Sequence, residues 1–138
     1  MAKTVTGGCM CGAVRYEYAG EPIFAGNCHC RDCQRAGGGA GSAVFGVSKA
    51  GLKITGPVKY HEVLGGSGQK ISRGFCSTCG ARLVSFPSSS PDLATIAAGS
   101  LDDPSSYKPQ MDIFTASAQP WDVMDPALPK FPRMPPTG

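Results

Sequence analysis

Short runs along the chain alternate apolar and polar residues with a period of two. From Ala13 to Tyr18, the side chains of Val14, Tyr16 and Tyr18 fall on one face and those of Arg15 and Glu17 on the other, the pattern of a half-buried strand. The same reading predicts strands at Ser42–Val47, Val58–Leu64, Lys70–Phe75, Ala81–Phe86, Leu93–Ala98 and Met111–Ala116. So many short strands in one small chain predict a mainly β fold of packed antiparallel sheets. Helix is expected only in short pieces, at Arg31–Ala36 and as a turn near Trp121–Met124. Gly65-Gly66-Ser67-Gly68 lies between two of the runs and is expected to close a hairpin; it lacks the Gly-Lys-Ser/Thr ending of a phosphate loop. Gly37-Gly38-Gly39-Ala40-Gly41 is either a flexible connector or a place where a ligand approaches bare backbone.

No internal repeat or domain boundary is visible, so residues 1–138 are read as one domain with a proline-rich C-terminal tail over about 126–138. That tail is expected to be extended, either draped over the domain or loose. The 19 Gly and 12 Pro weigh further against long helices. No apolar run approaches the roughly 20 residues of a membrane helix. Met1 to Gly8 holds a single basic residue and no apolar stretch, so no export signal is expected and the cytoplasm is the expected location. The formal charge of +3 counts every cysteine as neutral. Seven thiolates on two zinc ions would bring it to near zero, and the basic residues are scattered, so no nucleic-acid or membrane partner is expected.

Candidate chemistry is concentrated in seven cysteines: Cys9-x-Cys11, Cys28-His29-Cys30-x-x-Cys33 and Cys76-x-x-Cys79. An odd count and one- or two-residue spacings suit shared metals better than disulfides. Cys76-x-x-Cys79-Gly80 has the form of a zinc knuckle and needs a second pair. Cys9 and Cys11 are the pair left if the middle cluster serves its own metal, and joining the two pairs would staple the first strand to a distant hairpin. Cys28, Cys30 and Cys33 then hold a second zinc with no fourth cysteine. His29, between two ligands, has difficulty turning to the same ion, and His61 in mid-strand is read as a surface or packing residue. The fourth position is left to water or a substrate. Three thiolates weaken zinc as a Lewis acid but suit it to hold another thiol deprotonated, so the ligand set points to thiol chemistry. Arg31 and Arg35 flank the cluster and would balance its charge, receive a substrate carboxylate, or stand as solvated surface charges.

Five segments in order carry a family resemblance: Cys9-Met10-Cys11-Gly12-Ala13-Val14, Cys28-His29-Cys30-Arg31-Asp32-Cys33-Gln34-Arg35, Phe75-Cys76-Ser77-Thr78-Cys79-Gly80, Ala98-Gly99-Ser100-Leu101-Asp102-Asp103-Pro104 and Ser117-Ala118-Gln119-Pro120-Trp121. Together they resemble the glutathione-dependent formaldehyde-activating enzyme family, to which centromere protein V is related. The resemblance implies the zinc-bound β-tent fold, shared with a zinc-containing Rab-binding chaperone. It also implies a structural zinc on Cys9, Cys11, Cys76 and Cys79, and a catalytic zinc on Cys28, Cys30 and Cys33. The activity it implies is that of a carbon–sulfur lyase joining glutathione to formaldehyde, with a glutathione-like thiol and a small aldehyde as partners. The alternative is a zinc-stabilised binding module without catalysis.

One departure stands out: relatives often carry histidine immediately before the Ile-Phe pair of the late strand, where this chain has Asp112 before Ile113 and Phe114. Facing the open site, that carboxylate would change substrate preference; facing solvent, it would change nothing. The bare glycine stretch after Cys33 is expected to widen the pocket beside the metal. Phe75 and Trp121 are read as core residues, with walls of that pocket as their second reading.

Overall fold

The computed structural model describes residues 4–65 and 68–135. In chain order its strands are β1 (Thr4–Gly8), β2 (Arg15–Ala19), β3 (Phe24–Cys28), β4 (Ser42–Ser48), β5 (Leu52–Thr55), β6 (Val58–Leu64), β7 (Lys70–Cys76), β8 (Arg82–Pro87), β9 (Leu93–Ala97) and β10 (Asp112–Ile113). A single α-helix among the described residues, α1 (Arg31–Gly37), follows β3. The small sheet runs β1-β2-β5 and the large one β10-β3-β4-β9-β8-β7-β6. Pairing is antiparallel throughout except between β10 and β3. The mainly β reading therefore holds.

Alternation explains the small sheet. β2 buries Tyr16 and Tyr18 and exposes Arg15 and Glu17, so its apolar face closes onto the large sheet. One apolar cluster joins Val14, Tyr16 and Tyr18 to Phe45, Val47, Leu83 and Ile96 across the two sheets. Phe45 is its centre, with ring centroids 5.6 Å from Tyr18 and 6.5 Å from Tyr107. At the opposite extreme, β6 is an edge strand whose Lys59, His61 and Glu62 are exposed, which discourages pairing with another chain. His61 is a surface residue, as expected. Gly65 receives the β6–β7 turn through its amide to the Gln69 carbonyl at 2.7 Å; Gly66 and Ser67 of the expected hairpin turn lie outside the described residues.

Three strands fall outside the predicted runs. β1 ends in two glycines, β3 packs small residues on both faces, and β5, although half-buried Leu52 and Ile54 alternate with exposed Lys53 and Thr55, is an edge of only four residues. The late strand is shorter than Met111–Ala116, because Phe114 takes a left-handed conformation (φ 55°) and turns the chain into a tight 3₁₀ turn at Thr115–Ser117. Beyond it, the chain returns alongside β10: the Asp112 amide donates to the Pro129 carbonyl and the Phe131 amide to the Asp112 carbonyl, each at 2.9 Å. This segment and β3 flank β10 on either side, and β3 ends at Cys28.

Two cysteine clusters and the cavity beside one of them

The β1–β2 turn carries Cys9 and Cys11, while Cys76 ends β7 and Cys79 lies in the β7–β8 turn, so the first cluster sits where the two sheets meet. Its four sulfurs lie within 4.8 Å of one another. Cys9 and Cys11 are 3.6 Å apart and Cys11 and Cys76 3.8 Å apart; zinc–sulfur bonds of about 2.3 Å give a tetrahedron with edges of about 3.8 Å. Backbone amides point at the same sulfurs: Val14 to Cys9 at 3.2 Å, Thr78 to Cys76 at 3.4 Å and Cys79 to Cys76 at 3.5 Å. Such donors stabilise thiolates. Gly80 follows with φ 78°, which a side chain would strain, and this lets its amide close the knuckle onto the Cys76 carbonyl at 2.8 Å. Crowding sets the thiols against one another. The Ala13 backbone pulls the Cys11 thiol down, yet Cys9, burial, Cys79 and Cys76 together outweigh it and push Cys11 up to about 11. Burial would raise Cys9, but the Val14 amide and the other three thiols bring it down to about 6. A divalent cation held there would resolve that competition, since it would take every sulfur as thiolate.

The second cluster is built on one turn of chain. Cys28 ends β3, Cys30 is the N-cap of α1 with its sulfur accepting the Cys33 amide at 3.4 Å, and Cys33 lies in the first helical turn. Their sulfurs also lie within 4.8 Å of one another, and all seven thiols of the chain are free. Cys28 is pushed up by sharing protons with Cys30 and Cys33 and by burial, while the same two-way sharing pulls Cys33 down, with Ser42 and Arg82 adding to the pull. Both clusters can therefore hold zinc, one with four sulfurs and the other with three. Gly41 explains part of the geometry: a Cβ there would stand 2.3 Å from the Cys28 carbonyl oxygen. The glycine stretch thus serves the packing of β4 against the cluster backbone; residues 37–41 do not line the cavity and do not widen it.

A buried polar network fixes this turn from behind. His29 is 5% exposed; its Nδ1 meets Asp122 Oδ2 at 2.6 Å and its Nε2 meets Asp112 Oδ1 at 3.0 Å, so neither nitrogen is available to a metal. Asp112, 1% exposed, also accepts from Lys130 Nζ at 2.9 Å and Asn27 Nδ2 at 3.2 Å. Burial acts to raise its carboxyl, but the His29, Lys130 and Asn27 hydrogen bonds outweigh that and hold it below the usual carboxylate range. Asp112 consequently faces neither the open site nor solvent, the two placements its sequence position suggested. Gln34 completes the network: its Nε2 donates to the His29 carbonyl at 2.8 Å and the Ser117 carbonyl at 3.0 Å.

In front of the cluster lies a cavity of about 220 Å³ lined by Cys28, Cys30 and Cys33, by apolar residues such as Phe24, Ile71, Leu93 and Phe114, and by Arg73 and Arg82. Sequence reasoning had singled out Arg31 and Arg35 instead. Both are exposed and outside the cavity, and Arg31 turns back to Gln34 Oε1. Nor do Phe75 and Trp121 line it; Trp121 is 64% exposed and so packs in no core. Arg73 shares the inward face of β7 with Ile71, a signal the sequence did carry. Arg82 had no such signal, because register passes from Arg73 opposite Ser85 to Phe75 opposite Arg82, leaving one extra residue in β8. This bulge puts Arg82 on the cavity side together with Ser85. Arg82 Nη1 donates to Ser42 Oγ, whose hydroxyl is 3.3 Å from the Cys33 carbonyl. The buried Nε atoms of both arginines have no hydrogen-bond partner among the described residues. An unpaired buried donor costs about 1–3 kcal/mol.

Comparison with known proteins follows the same lines. A crystal structure of a Rhodobacter sphaeroides protein superposes with a TM-score of 0.56 at 23% identity, covering 70% of this chain and 87% of that one, so the fold is shared. No curated protein matches the chain. Residues 4–117 match the family described as glutathione-dependent formaldehyde-activating enzyme, a span that includes both cysteine clusters and the arginines of the cavity. The chain belongs to the glutathione-dependent formaldehyde-activating enzyme family.

Proposed function

We propose that this is a cytoplasmic zinc-dependent carbon–sulfur lyase, adding a glutathione-like thiol to formaldehyde or a related small carbonyl, or running the reverse reaction. The observation that carries the reading is the inequality of the two clusters: Cys9, Cys11, Cys76 and Cys79 offer four sulfurs, enough to close a tetrahedral site, whereas Cys28, Cys30 and Cys33 offer three and border the cavity, so a metal held there would have room for a further ligand. The four-sulfur cluster is structural on this view and the three-sulfur cluster catalytic. Zinc held by Cys28, Cys30 and Cys33 would supply a soft cation that keeps a substrate thiol ionised near neutral pH.

The chain's own contribution is placement. The Asp112–His29–Asp122 bridge and Gln34 lock the Cys28–Cys33 turn, so the three sulfurs need no rearrangement to receive a fourth. Apolar side chains of Phe24, Ile71, Leu93 and Phe114 line the approach to the three sulfurs. In the forward direction the thiolate sulfur attacks the carbonyl carbon; the C–S bond forms, the carbonyl π pair moves to oxygen, and that oxygen takes a proton from solvent. In reverse the C–S bond breaks and its electron pair returns to sulfur. Asp32 is the one carboxylate lining the cavity among the described residues.

Metal analysis and cobalt substitution test the reading. Two ions per chain are expected, with one showing a spectral shift when glutathione is added. Cys30→Ala should abolish activity in a folded protein, whereas Cys79→Ala should prevent folding. A single ion, or two that ignore every thiol offered, would refute the lyase and favour a zinc-stabilised binding module. Equal collapse of both variants would make the three-cysteine site structural as well.

A further inference from the structure

The cavity beside Cys28, Cys30 and Cys33 carries more positive charge than a neutral aldehyde requires. Arg73 and Arg82 both line it, their Nε atoms are buried without partners among the described residues, and neither forms an ion pair there. Of Arg82's donors, one is used by Ser42. The two buried Nε donors carry an unmet hydrogen-bonding cost that a bound anion would relieve, and Asp32, the one carboxylate lining the cavity among the described residues, pairs with neither arginine. Formaldehyde offers no charge to meet them. A carboxylate matches the guanidinium fork in shape and charge, and the low polarity of the walls strengthens the contact.

We propose that Arg73 and Arg82 form a seat for a substrate carboxylate, so that the molecule reacting beside the three cysteines is an acid. The proposal rests on the thiol-addition reading above. The carboxylate belongs either to the thiol or to the carbonyl compound, which would then be an oxo acid; the chemistry at the arginines is the same. A competing role for the arginines, plain compensation of thiolate charge, makes a different prediction: it affects acidic and neutral substrates alike.

Two measurements separate these cases. In the cobalt-substituted protein, thiolate-to-metal absorption is titrated with 3-mercaptopropionate and with its uncharged counterpart 3-mercapto-1-propanol. In parallel, calorimetry follows glyoxylate binding to the zinc protein with no thiol present. If the thiol carries the carboxylate, wild type prefers the acid by tenfold or more, and Arg73→Gln reduces that ratio at least fivefold. If the carbonyl carries it, the two thiols bind alike while glyoxylate binds and Arg73→Gln weakens it at least fivefold. Because the first readout is a ratio within one variant, a general disturbance of the pocket cancels. Arg82→Lys, which keeps the charge but loses the fork, provides a second variant with a milder loss in the same arm. Acid and alcohol binding equally, together with glyoxylate binding that is absent or indifferent to Arg73, overturns the carboxylate seat. A spectrum indifferent to both thiols defeats the thiol-addition reading instead, and the seat is then decided by the calorimetric arm alone.

Discussion

Replacing Asp112 tests whether the three-cysteine turn is held from behind as described. The carboxylate is 1% exposed and accepts from His29, Lys130 and Asn27 at 3.0, 2.9 and 3.2 Å. In Asp112→Ala, Lys130 retains the Asp125 carbonyl at 2.6 Å and the Leu128 carbonyl at 3.1 Å, and His29 retains Asp122. His29 Nε2 and Asn27 Nδ2 each lose an acceptor in the interior. Breaking one side of a buried charged pair costs about 3–5 kcal/mol, and that range is expected for the alanine variant. Asp112→Asn keeps the shape and one oxygen but turns an amide N–H₂ toward a donor, so about 1.5–3 kcal/mol is expected. Against a domain stability of about 5–15 kcal/mol, either change is large. The assay is urea denaturation with free zinc buffered at one concentration, since a metal that binds only the folded state otherwise sets the apparent stability. Asp112→Asn combined with Lys130→Met should show coupling of at least about 0.5 kcal/mol in a double-mutant cycle. A loss below about 1 kcal/mol for Asp112→Ala, or strictly additive double-mutant values, would refute the buried bridge and return Asp112 to the surface.

Gly41→Ala should cost several kcal/mol and reduce bound zinc from two ions toward one, read by denaturation and metal analysis, because its Cβ would collide with the Cys28 carbonyl at 2.3 Å. Phe45→Ala, at 2% exposure between Tyr18 and Tyr107, should destabilise by about 3–5 kcal/mol without changing zinc content. Asp102 is held down to about 2 by the Arg15 guanidinium and then by the Thr6 hydroxyl. A lowered folded-state value means stability that is present above the unfolded carboxylate pKa of about 4 and lost as pH falls toward the folded one. The stability gap between wild type and Asp102→Asn should therefore be constant from about pH 5 to 7 and narrow below about pH 4; a gap that widens on acidification would contradict the Arg15 pairing.

What the sequence made legible was whatever depends on neighbours in the chain. Alternation located β2, because Tyr16 and Tyr18 point inward regardless of what they meet. Spacing grouped the thiols, because a turn of two or three residues brings two sulfurs to one ion. What depended on distant partners was hidden. β3 packs on both faces and shows no alternation, and Arg82 faces the cavity only through a bulge that no residue in β8 announces. His29 was kept from the metal for a local reason, adjacency to two ligands. The structure adds a stronger, non-local one: carboxylates more than 80 residues downstream occupy both ring nitrogens. That difference bears on how the site is made. Three cysteines within six residues could form a metal-binding turn in an unfolded chain, but such a turn would be free to recruit any fourth ligand. The C-terminal third of the chain, through Asp112, Asp122 and Lys130, takes His29 out of the competition and fixes the turn against β10. On the proposed reading, the position left open beside the three cysteines would be a property of the whole fold, and variants that loosen this downstream segment should lower zinc retention at Cys28, Cys30 and Cys33, read by metal analysis, before they unfold the sheets.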